Sequence, residues 1–409
     1  MREQPGFVSI PRLEERGHMG IKCGLDNIRA LLEGLGHPET AYPVVLLAGT
    51  NGKGSTGAFL AHMLRAAGRR VGWTTSPHLV DVTERIWVDG SPIDAEALER
   101  LLGEAFEAEE RAGIRATYFE LMIAAALAAF RKRGVELALL EVGMGGRWDA
   151  TNATDPVVTV LTTIGLDHQQ YLGDTLEAIA GEKLCTARAG RPLVLGPSLD
   201  PAWIAPLLPV QPILCPAPRL GPAELHWDSS RVEGREVGLA GRHQVENLAT
   251  AFEAIRQLRG LGFPVPEECL WQGVSETQWP GRLWRVPSLE QVWMDGAHNP
   301  DGARVLADHA LACGVRPHLF FGAMGDKDLV GVARELQRMR PLSVTMLQGD
   351  SPRYATGQAL FRAWGTEAPL LTLREATQRL RAPSDAPRLV TGSLYLLGDL
   401  LRGMGLRAF

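Results

Sequence analysis

Lysine is scarce in this chain. Of 42 Lys+Arg residues only five are lysine, at Lys22, Lys53, Lys132, Lys183 and Lys327. Where arginine is the default cation, each lysine is a candidate for a position that needs a primary amine, which a permanently protonated guanidinium cannot supply, with chance as the alternative. A basic excess is missing too. The formal net charge is -5, which excludes a nucleic-acid partner gripped through bulk positive charge. The five cysteines, Cys23, Cys185, Cys215, Cys269 and Cys313, are scattered and include no C-x-x-C pair. That usage predicts reduced thiols in a cytoplasmic protein. Long apolar runs are absent. The longest, Leu121 to Phe130, falls well short of the roughly 20 residues that span a bilayer. The charged start, Met1 to Pro5, is not followed by the apolar core of a secretory signal, so no membrane association is expected.

What is present is an ordinary soluble-protein balance, 45% hydrophobic and 22% charged, over 409 residues, a length suited to two domains. Leu25, Ile28, Leu31, Leu32 and Leu35 share one helical face and predict a helix over 25–35. The continuous run Val44-Val45-Leu46-Leu47-Ala48 reads as a strand buried on both faces, as in a parallel sheet. A Gly-rich loop and a helix over 55–67 follow. Further strands are predicted at 71–75, 137–142 and 157–163, with helices at 95–112, 117–132, 175–188, 246–258 and 267–274. The proline-rich segment 192–222 reads as mostly irregular. After Trp279-Pro280-Gly281-Arg282, strands at 292–296, 318–322, 343–347 and 388–392, with a weaker one at 370–373, alternate with helices near 301–313, 328–339, 356–364, 374–381 and 394–403. The fold class is therefore α/β: a larger unit with a mainly parallel sheet over 1–282, then a smaller open α/β sheet with helices on its faces over 283–409.

The segment Gly49-Thr50-Asn51-Gly52-Lys53-Gly54-Ser55 lies between the buried strand and the helix. Glycines let backbone N–H groups curl around phosphate oxygens, and the helix N-terminus adds positive potential. Lys53 supplies a mobile charge for the β- and γ-phosphates. The loop departs from G-x-x-x-x-G-K-[ST]: two residues separate Gly49 from Gly52, and Gly54 follows the lysine.

This loop, with Thr75-Ser76-Pro77-His78-Leu79, Thr83-Glu84-Arg85-Ile86 and Glu141-Val142-Gly143-Met144-Gly145-Gly146-Arg147, resembles the folylpolyglutamate synthases and dihydrofolate synthases of the wider Mur ligase superfamily. Further matches follow in order: Asp149-Ala150-Thr151-Asn152, Asp167-His168, Gly181-Glu182-Lys183, His243-Gln244 with Asn247, Pro280-Gly281-Arg282, Asp295-Gly296-Ala297-His298-Asn299-Pro300, Asp326-Lys327-Asp328 and Gly392-Ser393. Each alone is weak, and the ordered set is specific.

The resemblance implies a P-loop-type ATPase domain, the Mur-ligase-like central domain, over 1–282 and a Rossmann-like glutamate-ligase domain over 283–409, together forming an ATP-dependent ligase that activates a carboxylate as an acyl phosphate and couples it to L-glutamate. The carboxylate belongs to dihydropteroate or to a folate. It implies ATP contacts at Thr50, Asn51, Gly52, Lys53, Gly54, Ser55, Asn247, Arg282, Asp295 and His298. Ser76, Glu141 and His168 match the metal positions, two Mg²⁺ ions are expected, and K⁺ is a further candidate. Independently of the family, these three residues follow predicted parallel strands at the edge where open α/β sheets bind ligands. Histidine is an unusual ligand for an oxygen-seeking ion. Lys183 matches a lysine that the family carbamylates, turning an amine into an anionic metal ligand. Lys53, Lys183 and His168 are the catalytic candidates. The pterin or folate is expected near Ile21, Lys22, Cys23, Thr117, Tyr118, Phe119, Glu120, Trp148, Asp149 and Ala150, where Phe119 and Trp148 offer flat aromatic faces. Asp295 is expected to accept from ribose hydroxyls.

Thr117-Tyr118-Phe119-Glu120 resembles the pterin-side motif of bifunctional bacterial members, so both activities are expected. A folylpolyglutamate synthase alone and a non-catalytic ATP-binding regulator are the alternatives. A peptidoglycan ligase is disfavoured, because little chain precedes Gly49 for a nucleotide-sugar domain. A monomer is expected.

Overall fold

The computed structural model describes residues 8, 10–17 and 23–409. Its first sheet is built from β1 (Val44–Ala48), β2 (Val71–Thr74), β3 (Ile86–Val88), β4 (Ser91–Pro92), β5 (Leu137–Glu141), β6 (Val158–Leu161), β7 (Pro192–Leu195) and β8 (Ile213–Pro216). Their spatial order is β4-β3-β2-β5-β1-β6-β7-β8. Strands β2, β5, β1, β6, β7 and β8 pair in parallel, and β3 and β4 form an antiparallel hairpin on the β2 edge.

Why β1 carries no polar residue follows from its place. It is central, every residue is buried, and successive side chains point to opposite faces. Leu46 and Ala48 join one core with the helices Asp26–Gly34, Ala95–Ala112 and Tyr118–Lys132. Val45 and Leu47 join the other, with the helices Lys53–Ala66, Arg242–Gly260 and Glu267–Glu276. Helices on both faces are what a parallel sheet with crossover connections requires.

The proline-rich segment departs from its sequence reading. It contributes β7 and β8, which extend the parallel sheet. Prolines disguise both strands but sit where a sheet tolerates them. Pro192 opens β7, and Pro216 lies on the edge strand β8, where one side of the backbone has no neighbour in the sheet. A second departure is a small antiparallel sheet, β9 (Ala223–His226), β10 (Ser229–Val232) and β11 (Arg235–Val237), which no periodicity in that stretch announced.

The third sheet joins β12 (Trp284–Arg285), β13 (Val292–Asp295), β14 (His318–Phe321), β15 (Ser343–Gln348), β16 (Leu370–Thr372) and β17 (Arg388–Thr391) in the order β12-β13-β17-β14-β15-β16. All but β12 run parallel. The loop after β2 docks into this part of the molecule. Leu79 and Val80 are buried among Met294, Leu396, Leu397 and Leu401, and Arg402 donates to the Val80 carbonyl at 3.0 Å. No helix among the described residues is long and apolar enough to cross a membrane.

Candidate active site

The neighbours β2, β5, β1 and β6 are parallel, so their C-terminal ends align along one edge. That register carries Ser76 beyond β2, Glu141 at the end of β5, the loop 49–55 beyond β1 and His168 beyond β6 to one region. Ligands of open α/β sheets bind outside this edge.

The loop is tied down by its neighbours. Thr50 Oγ1 donates to the Gly165 carbonyl at 3.1 Å and accepts from the Gly165 N–H at 3.0 Å. The Asn51 N–H donates to Thr163 Oγ1 at 3.0 Å. Gly52 has φ +89°, and a β-carbon there would lie 2.4 Å from Asn247 Oδ1. Asn247 is fixed in turn by donating to Gln244 Oε1 at 2.9 Å. Lys53 opens the helix Lys53–Ala66, and its ammonium folds back onto the Gly49 and Thr50 carbonyls at 2.9 and 3.2 Å. Gly54 and Ser55 are buried in the first turn. Arg282 Nη1 donates to the Gly281 carbonyl at 3.0 Å.

Charge beneath the loop is unusual. Glu141 is buried, and burial raises its carboxyl to about 7 despite the opposing pull of Lys53 and Arg282 and a hydrogen bond from the Ser76 backbone. Lys183 is also buried and donates to the Gly49 carbonyl at 3.1 Å. Burial first, then repulsion by Lys53, lowers it to about 7. Burial lowers Lys53 as well. The helix Leu176–Leu184, shorter than the expected 175–188, carries Lys183 inward.

Among the described residues no three His, Cys, Asp or Glu side chains gather into a ready-made metal cluster. The residues nevertheless fit a hard cation. Glu141 is a buried oxygen donor joined to Ser76, and a nearby positive ion would favour its charged form. His168 and Ser76 line one cavity together.

That cavity holds about 480 Å³. It gathers Cys23, Thr117, Tyr118, Phe119, Glu120, Trp148, Asp149 and Ala150 from the first sheet's side. Ile21 and Lys22 lie outside the described residues. Several of these acceptor candidates have other employment. Thr117 and Glu120 form a capping box: the Thr117 N–H donates to Glu120 Oε2 at 2.7 Å and the Glu120 N–H to Thr117 Oγ1 at 3.2 Å. Tyr118 is buried, with the Arg85 guanidinium 5.2 Å from its ring centre. Asp149 accepts from the backbone of Gly143, Met144 and Thr151, so it organises the loop after β5. Phe119 is half-buried, and Trp148 is 48% exposed, which leaves aromatic surface open to the cavity.

The third sheet supplies the opposite wall. Asp167 accepts from Lys327 Nζ at 2.7 Å and Asn299 Nδ2 at 3.2 Å, and His298 Nε2 lies 3.4 Å away. Burial works to raise the Asp167 carboxyl, but the hydrogen bond and charge of His298, then His168 and Lys327, hold it far below the usual carboxylate range. Asn299 also exchanges hydrogen bonds with Asn51 at 3.1 and 3.3 Å, so the phosphate loop touches the third sheet's first crossover. Asp295 departs from its expected freedom. Its two oxygens accept from the backbone of Leu283 and Ala297, each at 2.8 Å, which braces the junction after Arg282.

A model of the Mur ligase middle domain matches residues 47–185, the span from β1 to the end of the Lys183 helix. Over 413 residues the chain is 32% identical to a dihydrofolate synthase/folylpolyglutamate synthase of Bacillus subtilis, covering 93% of this chain and 95% of that protein. This chain belongs to the folylpolyglutamate synthase/dihydrofolate synthase family. It is also 34% identical to a probable bifunctional folylpolyglutamate synthase/dihydropteroate synthase of Haloferax volcanii, of which it spans 48%. The fold agrees with the family: E. coli FolC solved with DHPP and ADP superposes with TM-score 0.83 at 30% identity, covering 96% of this chain and 95% of that one. A bifunctional member solved with Mn, AMPPNP and L-glutamate superposes with TM-score 0.80 at 29% identity, covering 96% and 97%.

The cavity also contains residues that motif reading left unassigned. Arg85, Arg353 and Tyr395 line it, with Arg353 4.9 Å from the Tyr395 ring centre. Arg85 lies in Thr83-Glu84-Arg85-Ile86, one of the segments that carry the family resemblance, so its neighbourhood was visible. Arg353 and Tyr395 had no local signal, because loop and helix meet there only in the folded chain.

Proposed function

We propose that this chain is a bifunctional dihydrofolate synthase and folylpolyglutamate synthase, an ATP-dependent ligase that joins L-glutamate to dihydropteroate and to the γ-carboxylate of folates. One observation carries the reading: a phosphate loop, a buried glutamate, a buried lysine and an aromatic-walled cavity gather at the C-terminal edge of one parallel sheet. In the reaction, an acceptor carboxylate attacks the γ-phosphorus of ATP, the bond to the bridging oxygen breaks, and ADP leaves an acyl phosphate. The glutamate amine, after losing a proton, attacks the acyl carbon, and phosphate departs.

In this reading the amides of Thr50, Asn51, Gly52, Gly54 and Ser55, with Lys53, bind the phosphates. Asn247 sets the loop's shape, Arg282 and His298 complete the nucleotide site, and Asp295 holds Arg282's segment in place. Ser76, Glu141, His168 and Lys183 as its carbamate would hold Mg²⁺, with two ions expected; Mg²⁺ would offset charge on phosphoryl oxygens. K⁺ is a further candidate ion. Phe119 and Trp148 stack on the acceptor, with Cys23, Thr117, Tyr118, Glu120, Asp149 and Ala150 shaping its site. Residues 1–282 and 283–409 act as two domains whose contact shields the acyl phosphate from water. The protein works as a cytoplasmic monomer.

The test is ATP- and glutamate-dependent product formation with dihydropteroate and, separately, with a reduced folate monoglutamate. Product from both is expected. Extension of the folate with no turnover of dihydropteroate would reduce the protein to a folylpolyglutamate synthase. Nucleotide binding without ADP release in the presence of either acceptor and glutamate would leave only a binding protein.

A further inference from the structure

Four aromatic rings lie beside the phosphate loop, and the proposed chemistry does not use them. Trp73 and Trp279 have ring centres 4.5 Å apart, and Trp87 lies 6.0 and 5.9 Å from the two. Phe409 completes the group, meeting Trp87 edge-on at 4.5 Å and Trp279 at 5.4 Å. The cluster rests directly on the phosphate-loop helix. A β-carbon on Gly54 would come within 2.9 Å of Trp279 Nε1, and one on Gly57 within 2.8 Å of Trp73 Nε1. These glycines lie three residues apart on one face of the helix and let the two indoles seat against its first turns.

Trp279 is followed directly in the chain by Pro280-Gly281-Arg282. Phe409 also lines a small space of about 20 Å³ shared with Gly54, Ser76, Glu141 and Arg282. Its ring therefore sits one contact from the phosphate loop and from the arginine assigned to the nucleotide. Phe409 is 45% exposed, so only about half of its ring is buried. Its place is better explained by what it presses on.

We propose that Phe409 is a positioning residue for nucleotide binding. By packing edge-on against Trp87 and tilted against Trp279, it holds the Trp279 indole against Gly54 and so sets Arg282 and the phosphate loop in their binding arrangement. The proposal rests on the nucleotide site assigned above, but its readout does not depend on which acceptor is turned over.

The experiment measures ADP affinity by calorimetry, KM for ATP and for glutamate, and Tm, for Phe409→Ala and Phe409→Tyr in the full chain. Phe409→Ala should weaken ADP and raise KM for ATP by about threefold to tenfold, with little change in the glutamate KM or in Tm. Phe409→Tyr, which keeps the edge-on ring, should restore nucleotide affinity. Unchanged ADP affinity in Phe409→Ala overturns the proposal. So does an equal loss in both variants, or a loss that follows a fall in Tm. Failure of ligase turnover in the wild-type protein, with ADP still bound, would count against the assigned reaction and leave this test intact.

Discussion

Lys53 and Lys183 share one acceptor, the Gly49 carbonyl, at 2.9 and 3.1 Å. They arrive from helices far apart in sequence, and the crowding of two amines in a buried site disfavours charge on both. With Lys183 lowered to about 7, a large fraction is neutral amine at neutral pH, the form that adds CO₂.

Lys183→Arg keeps the charge and cannot form a carbamate. We expect turnover to fall by at least about a hundredfold, within the range that loss of an essential charged group produces, while Tm and circular dichroism stay close to wild type. Lys183→Ala, which adds no bulk, guards against a packing artefact and should be equally inactive. Near-normal turnover in either variant would remove the carbamate.

Gly52→Ala forces a side chain into a left-handed backbone and toward Asn247 Oδ1, where only 2.4 Å is available. Strain of this kind costs about 1–3 kcal/mol, so ADP affinity should drop by about tenfold or more. Calorimetry reads this directly. Lys53→Ala should leave the loop's shape but abolish ADP release; ATP turnover at the wild-type rate would strip Lys53 of its role.

The Asp167–Lys327 pair links the segment after β6 to the segment after β14, and both side chains are largely buried. Without Lys327 the Asp167 charge keeps His298, His168 and Asn299 as partners. Lys327→Met should therefore destabilise by about 1–2 kcal/mol, the scale of one hydrogen bond to a charged group, and adding Asp167→Asn should return part of that loss. Denaturant unfolding of the four members of the cycle measures the coupling. Additive effects would mean that the pair contributes no specific link.

His243 gives a pH prediction. Burial, then the charges of His309 and Arg282, lower it from 6.5 to about 3. The folded value lies below the unfolded one, so the unfolded chain takes up the proton first as pH falls. The stability that neutral His243 provides is fully present above about 6.5 and is lost toward about 3. Within that window one such group contributes a slope of about 1.4 kcal/mol per pH unit. His243→Asn should flatten the acid limb of unfolding free energy against pH. An unchanged limb would mean that His243 finds a proton acceptor in the folded state.

Much of the fold was legible because it follows from periodicity. The apolar run 44–48 had to be a central strand, since no other place buries five such residues on both faces. The helices 95–112 and 394–403 match their sequence reading at both ends. Strands β7 and β8 were hidden because proline depresses strand propensity everywhere, whereas a sheet rejects it only where an N–H is needed. The helix Arg242–Gly260 begins earlier than 246, which places His243 and Gln244 in its first turn and turns Asn247 toward Gly52.

The scarcity of lysine pointed at Lys53, Lys183 and Lys327, and ordered motifs named most of the cleft. Those signals are local: residue type, spacing, and the strand or loop that carries each. The sequence by itself thus determined two successive α/β patterns, a Gly-rich loop between a strand and a helix, and a set of polar residues at strand ends. Only the tertiary structure decided their relations. It brought Lys53 and Lys183 to one carbonyl, engaged Asp295 with backbone amides, spent Thr117 and Glu120 on a helix cap, and set Phe409 against Trp279. Strand order and burial fix such contacts, because both depend on which distant segments share a sheet edge or a core, and no window of sequence contains that information.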